Sequence, residues 1–271
     1  MYDSIVPEDV QEVSCPQCGG RGWVVVEDGQ AGTAVRCECR QRERVPRLLD
    51  ECGVPSRYRE CRIRTFLTRN RDPLVSAKAI ATRYVDEFLS ADGGFSKSGL
   101  LFHGRPGTGK THLAAAVLQE LIERYSVWGR FVDFTTLVHD IQASFDPQTS
   151  ETKHEILEPV MRCELLVLDE LGAQKPTAWV SDLLYLILNT RYSRRLPTIF
   201  TTNYPLEAPE RRPGSGRGLD RVADVAALET LSSRIPFQLL SRLHEMAQIV
   251  ELQADDYRRE VSAHSVNSRF S

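Results

Sequence analysis

The sequence lacks a long apolar run, and its first residues carry neither the basic region nor the apolar segment of a signal peptide. These absences argue against a membrane-spanning helix and against secretion, so we expect a cytoplasmic protein with no membrane partner. The chain also has no internal repeat. With 271 residues, 41% hydrophobic and 26% charged, it is not a fibrous repeat, a coiled coil or a mostly disordered chain. The composition predicts a globular protein with one large domain or two unequal ones.

An overall excess of positive charge is missing as well, because the formal net charge is −3. Attraction of the whole surface to nucleic acid is therefore not expected, and any such binding must be local. One stretch has the opposite balance: between Arg36 and Arg71, eleven arginines stand against five acidic residues. This arginine-rich segment is either a candidate binding surface or a solvated face.

The seven cysteines are an odd number, and in a chain without a secretion signal they are not expected to form a disulfide framework. Cys15 and Cys18 form a CxxC pair, and Cys37 and Cys39 form a CxC pair after 18 intervening residues. Four thiolates in two close pairs suit tetrahedral Zn²⁺, so we predict a structural zinc site. Free thiols or a redox-active CxxC are the alternatives. Three further cysteines are expected to be small apolar residues, although any one can replace a ligand: Cys52, Cys61 and Cys163.

The composition changes near residues 50 and 72. A charged helix is predicted over 40–51, and an arginine-rich connector follows over 53–72. Beyond it, short apolar runs alternate with helical patterns, which indicates an α/β domain with a mainly parallel sheet covered by helices on both faces. Residues 205–218 are rich in Pro, Gly and Arg and predict an exposed, mobile loop. The predicted strands cover 99–104, 130–134, 163–170, 197–203 and 248–252, and the predicted helices cover 76–90, 111–125, 135–145, 177–195 and 225–246.

The segment GRPGTGKT (104–111) matches the phosphate-binding pattern GxxxxGK[ST], between an apolar strand and a helix. Glycines let backbone N–H groups close around phosphate oxygens, and the start of the helix adds its positive end. Lys110 is expected to reach the β- and γ-phosphates, and Thr111 to bind Mg²⁺. The predicted ATP-binding residues are Gly104, Pro106, Gly107, Thr108, Gly109, Lys110, Thr111 and His112.

The segment CELLVLDE (163–170) brings two carboxylates to the carboxyl end of a buried strand, where ligands bind in open α/β sheets. Asp169 is expected to hold the Mg²⁺ shell directly or through water. Glu170 is expected to orient or deprotonate the attacking water. Together with the phosphate loop, this pair predicts an ATPase.

Three polar residues further along complete the candidate catalytic set. Asn203 ends a predicted strand. Either it holds the lytic water or senses the γ-phosphate, or it is a turn residue without a catalytic role. Arg234 and Arg242 lie in similar contexts, LSSRIP and LLSRLHEM. Each is either a group that reaches the nucleotide of a neighbouring subunit or a partner in a surface salt bridge.

The cysteine pairs, VPSRYRECRIRTF, GRPGTGKTHLA, LLVLDELG, TTNYPL and LLSRLHEMAQIVEL together resemble the DnaC/DnaI type of bacterial and phage replicative helicase loaders. These are AAA+ ATPases related to the initiator DnaA and to the IstB transposition helper. The resemblance implies a sheet ordered 5-1-4-3-2, with Asn203 as sensor 1, Arg242 as the arginine finger and Arg234 in reserve. It also implies several subunits that associate through their ATP sites.

The resemblance further implies an N-terminal domain that holds the hexameric helicase and an ATPase domain that contacts single-stranded DNA. In the family the DNA contact involves a helical insertion, here 135–158, which is acidic in this chain and so disfavours phosphate binding. The chain ends soon after the last strand, so we expect a reduced or absent helical lid. The expected organisation is a zinc domain over 1–50, a linker over 51–71, an AAA+ domain over 72–260 and a polar tail over 261–271.

The expected function is therefore an ATP-dependent loader that places the replicative helicase on single-stranded DNA in a bacterial or phage-infected cell. Two alternatives remain at this point. One is an IstB-type ATPase that helps a DNA transposase. The other is a nucleotide-gated DNA-binding adaptor with little turnover.

Overall fold

The computed structural model describes residues 17, 23–28, 31–36, 38–88, 98–146, 148–149, 151–206, 229–254 and 256–257. It divides the chain into two compact units, residues 1–47 and 48–271. No helix in the described part is long and apolar enough to cross a membrane.

The first unit contains an antiparallel hairpin that the sequence patterns did not predict. Strand β1 (Trp23–Asp28) pairs with β2 (Ala31–Arg36) in a two-stranded sheet, and helix α1 (Glu38–Glu51) follows and continues into the second unit. Of the predicted zinc ligands, Cys15, Cys18, Cys37 and the side chain of Cys39 lie outside the described residues. The zinc site therefore stays a prediction.

The second unit is a five-stranded parallel sheet with helices packed against it. Its strands are β3 (Gly99–His103), β4 (Gly129–Asp133), β5 (Leu165–Asp169), β6 (Thr198–Thr202) and β7 (Ala247–Glu251). Its helices are α2 (Asp72–Asp86), α3 (Lys110–Tyr125), α4 (Phe134–Ala143), α5 (Lys153–Arg162), α6 (Ala178–Ser193) and α7 (Phe237–Met246).

The strand order is β4-β5-β6-β3-β7, and every neighbouring pair is parallel. Numbered within the sheet, this is 5-1-4-3-2, the order that the family resemblance implied, and that prediction is confirmed. Strands β5 and β6 are buried along their whole length, which confirms the burial predicted for β5 from its apolar run. The carboxyl ends of β3, β5 and β6 consequently lie side by side.

Two helices begin four or more residues away from their predicted starts, and proline accounts for both shifts. Helix α2 begins at Asp72 rather than at residue 76, because Pro73 in its first turn has a backbone angle suited to a helix start. The helix predicted over 225–246 begins, within the described residues, only at Phe237. Pro236 precedes it and disfavours a helical conformation in Ile235, which follows a 3-10 turn. Residues 207–228, including most of the predicted loop, lie outside the described part.

The segment expected to be a linker, 51–71, lies in the second unit and packs against α3. Ile63 and Phe66 are buried. The side-chain amide of Gln119, itself buried on α3, donates hydrogen bonds to the carbonyl oxygens of Tyr58 (3.1 Å) and Cys61 (3.2 Å). We call residues 53–71 the N-terminal wall, because they form one side of the cleft described below.

Among the residues whose burial the structure describes, one arginine is fully buried, Arg191 on α6. Its guanidinium donates to the carbonyl oxygens of Val160 (3.0 Å), Cys163 (3.0 Å) and Pro197 (2.7 Å) and to the hydroxyl of Thr198 (2.8 Å). Burial lowers the pKa of Arg191. These contacts join the residues that precede β5 to the start of β6, at the amino edge of the sheet.

Replacing Arg191 by Met should lower the free energy of unfolding by about 3 kcal/mol, because three buried carbonyl oxygens lose their donor. Chemical denaturation measures the change. Arg194→Met is the matched control, since it removes the same charge from the exposed end of the same helix. Equal effects of the two substitutions would contradict a structural role for the buried guanidinium.

Candidate nucleotide-binding site

The phosphate-binding loop connects β3 to α3 and depends on three glycines in backbone conformations that other residues rarely adopt. Gly104 has φ 147°, Gly107 has φ 79° and Gly109, the N-cap of α3, has φ 97°. A side chain on Gly109 would also collide with the ring of Phe66 in the N-terminal wall. The loop therefore forms the phosphate-binding turn that the sequence pattern predicted. The start of α3 is directed into a cleft.

Lys110 and Thr111 occupy the first turn of α3. The ammonium of Lys110 is buried and donates to the carbonyl oxygens of Gly104 and Arg105, each at 2.9 Å. The hydroxyl of Thr111 donates to Asp169 Oδ1 at 3.1 Å. The loop and the acidic strand end thus meet, as the spacing predicted.

Asp169 is buried, and burial raises the pKa of its carboxyl group. The hydroxyl of Thr201 donates to Asp169 Oδ1 at 2.5 Å, which together with the Thr111 bond partly opposes that rise. Glu170 has a left-handed backbone, φ 57°, and its N–H donates to the Thr201 hydroxyl at 3.0 Å. Thr201 on β6 therefore holds the Asp169 carboxylate and the backbone of Glu170, whose left-handed conformation is strained.

A third carboxylate, Asp133, was missed by the sequence analysis. It ends β4, where it pairs in register with Asp169, and it accepts a hydrogen bond from the Thr136 N–H at the start of α4 (2.8 Å). One oxygen from each of Asp133, Asp169 and Glu170 lies within 4.8 Å of the others. The signal available in the sequence was that Asp133 ends the strand RFVD. Many aspartates without a functional role also end a strand, so this signal alone does not identify a site.

A cleft of about 300 Å³ opens between the phosphate loop and the N-terminal wall. Glu170 and Asn203 face it from the carboxyl edge of the sheet, and Leu74 lines it from α2. The wall contributes Tyr58, Thr65, Phe66, Leu67, Arg69 and Arg71. The loop and the start of α3 contribute Pro106, Gly107, Thr108, Gly109, Lys110, Thr111 and His112. The last described residues contribute Ala254 and Tyr257. The loop side of the cleft is thus polar and suited to phosphates, whereas the wall side combines apolar residues such as Phe66 and Leu67 with Arg69 and Arg71.

His112 connects the loop helix to the wall. Its Nδ1 lies 3.3 Å from Cys61 Sγ, its Nε2 lies 3.2 Å from the carbonyl oxygen of Arg62, and its ring contacts Phe66 edge-on. Burial lowers the pKa of His112 and raises that of Cys61, so both groups are held in their neutral forms. His112 therefore supports the cleft and has no charge to offer a phosphate.

Neither Arg234 nor Arg242 is among the described residues that line the cleft. The Arg234 guanidinium donates to the Tyr204 hydroxyl (2.5 Å) and lies 3.5 Å from a Glu229 carboxylate oxygen. Arg242 stacks against Tyr185 and Tyr192, with ring centroids at 5.0 and 5.5 Å. Its Nη1 has no hydrogen-bond partner within the described part of the chain.

The residues present fit magnesium and a nucleoside triphosphate. The Thr111 hydroxyl and the carboxylates of Asp133 and Asp169 are oxygen donors, which Mg²⁺ prefers. When bound, Mg²⁺ neutralises charge on the β- and γ-phosphates. Lys110, Glu170 and Asn203 line the same cleft as the phosphate-binding loop.

A model of the IstB-like ATP-binding protein family matches residues 75–214. The chain belongs to this family. Among related IstB-like sequences, the replicative helicase loader DnaC of Escherichia coli is 28% identical over 195 residues, which cover 70% of this chain and 75% of DnaC. YqaM of Bacillus subtilis, an uncharacterized protein, is 28% identical over 178 residues, 64% of this chain and 55% of YqaM. The chain thus spans about half the length of YqaM.

Solved structures agree on the fold of this IstB-like chain. A crystal structure of the DnaC helicase loader superposes with a TM-score of 0.56 at 28% identity, covering 73% of this chain and all of that one (100%). DnaA from Aquifex aeolicus has a TM-score of 0.52 at 16% identity, covering 79% of this chain and 56% of DnaA. The second unit therefore has the AAA+ P-loop fold, as predicted.

Asp169→Asn should raise the melting temperature of the nucleotide-free protein at neutral pH and abolish the further rise that Mg²⁺ and ATP produce. Because the pKa of Asp169 is raised, the folded state holds its proton more tightly than the unfolded chain. Stability therefore falls as pH rises above the ordinary value of 3.8. An amide removes this loss but binds Mg²⁺ poorly.

Differential scanning fluorimetry at several pH values, with and without Mg-ATP, measures both effects. Asp182→Asn, on the exposed face of α6, is the control and should change neither. A lower melting temperature for Asp169→Asn at neutral pH would contradict the inferred effect of burial.

Proposed function

We propose that this protein is an ATP-dependent loader that binds the hexameric replicative DNA helicase and places it on single-stranded DNA. ATP binding associates several subunits through their nucleotide sites, and hydrolysis at the interfaces releases the helicase. The observation that carries the proposal is the similarity to DnaC, which extends over the whole of the solved DnaC chain and coincides here with a phosphate-binding loop that meets the Asp169 strand end.

Catalysis follows from the roles of the residues in the cleft. Lys110 and the loop N–H groups bind the phosphates, and Thr111 and Asp169 hold Mg²⁺. Glu170 orients or deprotonates water beside the γ-phosphate, and Asn203 acts as sensor 1. Removing Lys110 should abolish nucleotide binding, whereas Glu170→Gln should retain ATP in an assembled state.

Arg242 is the stronger arginine-finger candidate, because its surroundings suit a group supplied to a second subunit. Arg234 is held within its own chain by Tyr204 and Glu229. Arg242 forms no ion pair within the described part of the chain; it stacks on Tyr185 and Tyr192, and its Nη2 donates to the Tyr185 hydroxyl at 3.5 Å. The apolar side chains of Leu186 and Phe237, on the two helices that carry this stack, are exposed and support an interface with another copy.

Single-stranded DNA is expected to contact the insertion through its bases. The insertion comprises α4 and α5, and its exposed acidic residues disfavour phosphate contacts. Phe145, just after α4, is 59% exposed and packs edge-on against Trp179 of α6 at 6.3 Å. Exposed aromatic rings stack on unpaired bases without needing positive charge, so this pair supports DNA binding where the charge does not.

The N-terminal unit is proposed to hold the helicase through a zinc domain. Cys15, Cys18, Cys37 and Cys39 are the proposed ligands, and the arginine-rich segment supplies the positive charge of the contact. The wall over 53–71 belongs to the second unit, so we assign to the helicase contact only the part of the arginine-rich segment that precedes the wall, with its arginines from Arg36 to Arg47.

One alternative follows from the family itself, whose description is that of an IstB-like ATP-binding protein. In that function the same ATPase assists a DNA transposase, and no replicative helicase is bound. A nucleotide-gated adaptor with little turnover is less well supported, because Asp169 and Glu170 supply two carboxylates beside the phosphate-binding loop, as hydrolysis requires.

Native mass spectrometry of the full chain, with ATP and the replicative helicase of its host or phage, tests the loader proposal. We expect a complex with the helicase hexamer and about one zinc per chain. Cys15→Ser with Cys18→Ser should lose the zinc and the complex but retain ATP binding. Cys52→Ser, which keeps the hydrogen bond to the Leu49 carbonyl, is the control. If the protein forms no complex with any candidate helicase, the result would favour the transposase helper.

A mixing experiment tests whether Arg242 acts on a neighbouring subunit. Arg242→Ala and Glu170→Gln should each abolish assembly-dependent ATP hydrolysis. In an equal mixture, about a quarter of the interfaces combine an intact Glu170 with an intact Arg242, so activity should partly return. Arg194→Ala, an exposed arginine elsewhere on the surface, should remain active alone. No recovery on mixing, or recovery only with Arg234→Ala in place of Arg242→Ala, would assign the finger to another residue.

A further inference from the structure

The residues that follow β7 run along the phosphate-binding loop. We call 252–254 together with 256–257 the C-terminal strap. It starts as a continuation of the sheet, since the Leu252 N–H donates to the His103 carbonyl oxygen at 2.8 Å. The Leu252 carbonyl oxygen then lies so close to Gly104 that a side chain on that glycine would collide with it. The strap is thus held against the first residue of the loop.

Further along, the strap meets the middle of the loop through Asp256 and Tyr257. The Tyr257 N–H donates to the Gly107 carbonyl oxygen at 3.2 Å. A side chain on Gly107 would collide with Asp256 Oδ1 and lie 3.0 Å from Asp256 Cα. A half-buried carboxylate therefore rests on the loop whose N–H groups bind phosphate.

The strap also reaches the opposite side of the cleft. The Arg69 guanidinium lies over the Tyr257 ring, 4.9 Å from its centroid. Tyr257 and Ala254 are among the residues lining the cleft, and Tyr257 is 45% exposed. The strap thus connects the phosphate loop to the N-terminal wall across the mouth of the nucleotide site.

A carboxylate at this position opposes the ligand that the loop is built to bind. The phosphates of ATP and Asp256 carry charge of the same sign, and a partly buried site screens their repulsion less than water does. Asp256 is not among the described residues that line the cleft, but its carboxylate lies against Gly107, close enough to repel phosphates that the loop N–H groups hold. Contact of the strap with the loop therefore opposes binding of the triphosphate.

We propose that the C-terminal strap is an autoinhibitory element that lowers the affinity of the nucleotide-free protein for ATP and is displaced when ATP binds. The inference rests on the nucleotide site of the proposed function and adds a regulation of that site. Displacement breaks the contacts of Tyr257 with Gly107 and Arg69, so the C-terminal residues change position with the nucleotide state.

Titration of the full-length protein with a fluorescent ATP analogue and Mg²⁺ tests the proposal. Asp256→Asn keeps the side-chain shape and removes the charge, so the dissociation constant should fall about fivefold or more at low salt. The difference from the unsubstituted chain should shrink in high salt, because repulsion is screened there. Glu251→Gln is the control: it removes the same charge from the nearby end of β7, where the side chain is exposed and bonded to Gln253.

An unchanged or weaker affinity of Asp256→Asn, or an equal gain in Glu251→Gln, would overturn the autoinhibitory role while leaving ATP binding intact. If the unsubstituted chain binds no ATP, a gain of binding in Asp256→Asn supports the strap. Failure of both chains to bind overturns the nucleotide site and the strap together.

Hydrogen exchange gives a second, structural readout. The Tyr257 amide should exchange slowly without nucleotide, because it is bonded to Gly107, and at least about tenfold faster with saturating Mg-ATP. Protection of this amide that is unchanged or increased by ATP would show that the strap stays in place or closes on the nucleotide, and would contradict displacement.

Discussion

The pairing of β3 with both β6 and β7 is the constraint on which the nucleotide site depends. Because β3 lies between these strands, the loop that follows it emerges beside the ends of β6 and β7. Asn203 and Thr201 come from the first neighbour, and the C-terminal strap comes from the second. Strand β5, one place further, adds Asp169 and Glu170. A different strand order would separate these groups even if each local motif formed.

The site concentrates features that disfavour the folded state, and the rest of the unit offsets them. Glu170 has a left-handed backbone, Asp169 is a carboxyl group buried beside two other acids, and the loop requires three glycines in rare conformations. Thr201 compensates in part, by donating to Asp169 and accepting from Glu170. The fully buried strands β5 and β6 supply the apolar burial that holds these groups in place.

The sequence predicted the parts of the site that local patterns encode. The phosphate loop, the Asp169-Glu170 strand end and Asn203 each follow an apolar strand, and the family resemblance supplied the strand order. The patterns did not reveal the contact of the N-terminal wall with α3, the approach of Asp133 or the path of the strap. These depend on residues far apart in the chain, such as Gln119 with Tyr58, and on chain directions that neither periodicity nor spacing encodes.

The buried guanidinium of Arg191 has a mechanical consequence for the sheet. Its hydrogen bonds fix the start of β6 and the residues before β5, at the edge opposite the nucleotide. That edge is then the pivot for any movement of these strands. A strand of five residues is about 15 Å long, so a rotation of about 5° at the pivot moves its far end by about 1 Å. A displacement of that size matters for the role proposed for Glu170, because a catalytic carboxylate must be aligned with the reacting water to within about 1 Å.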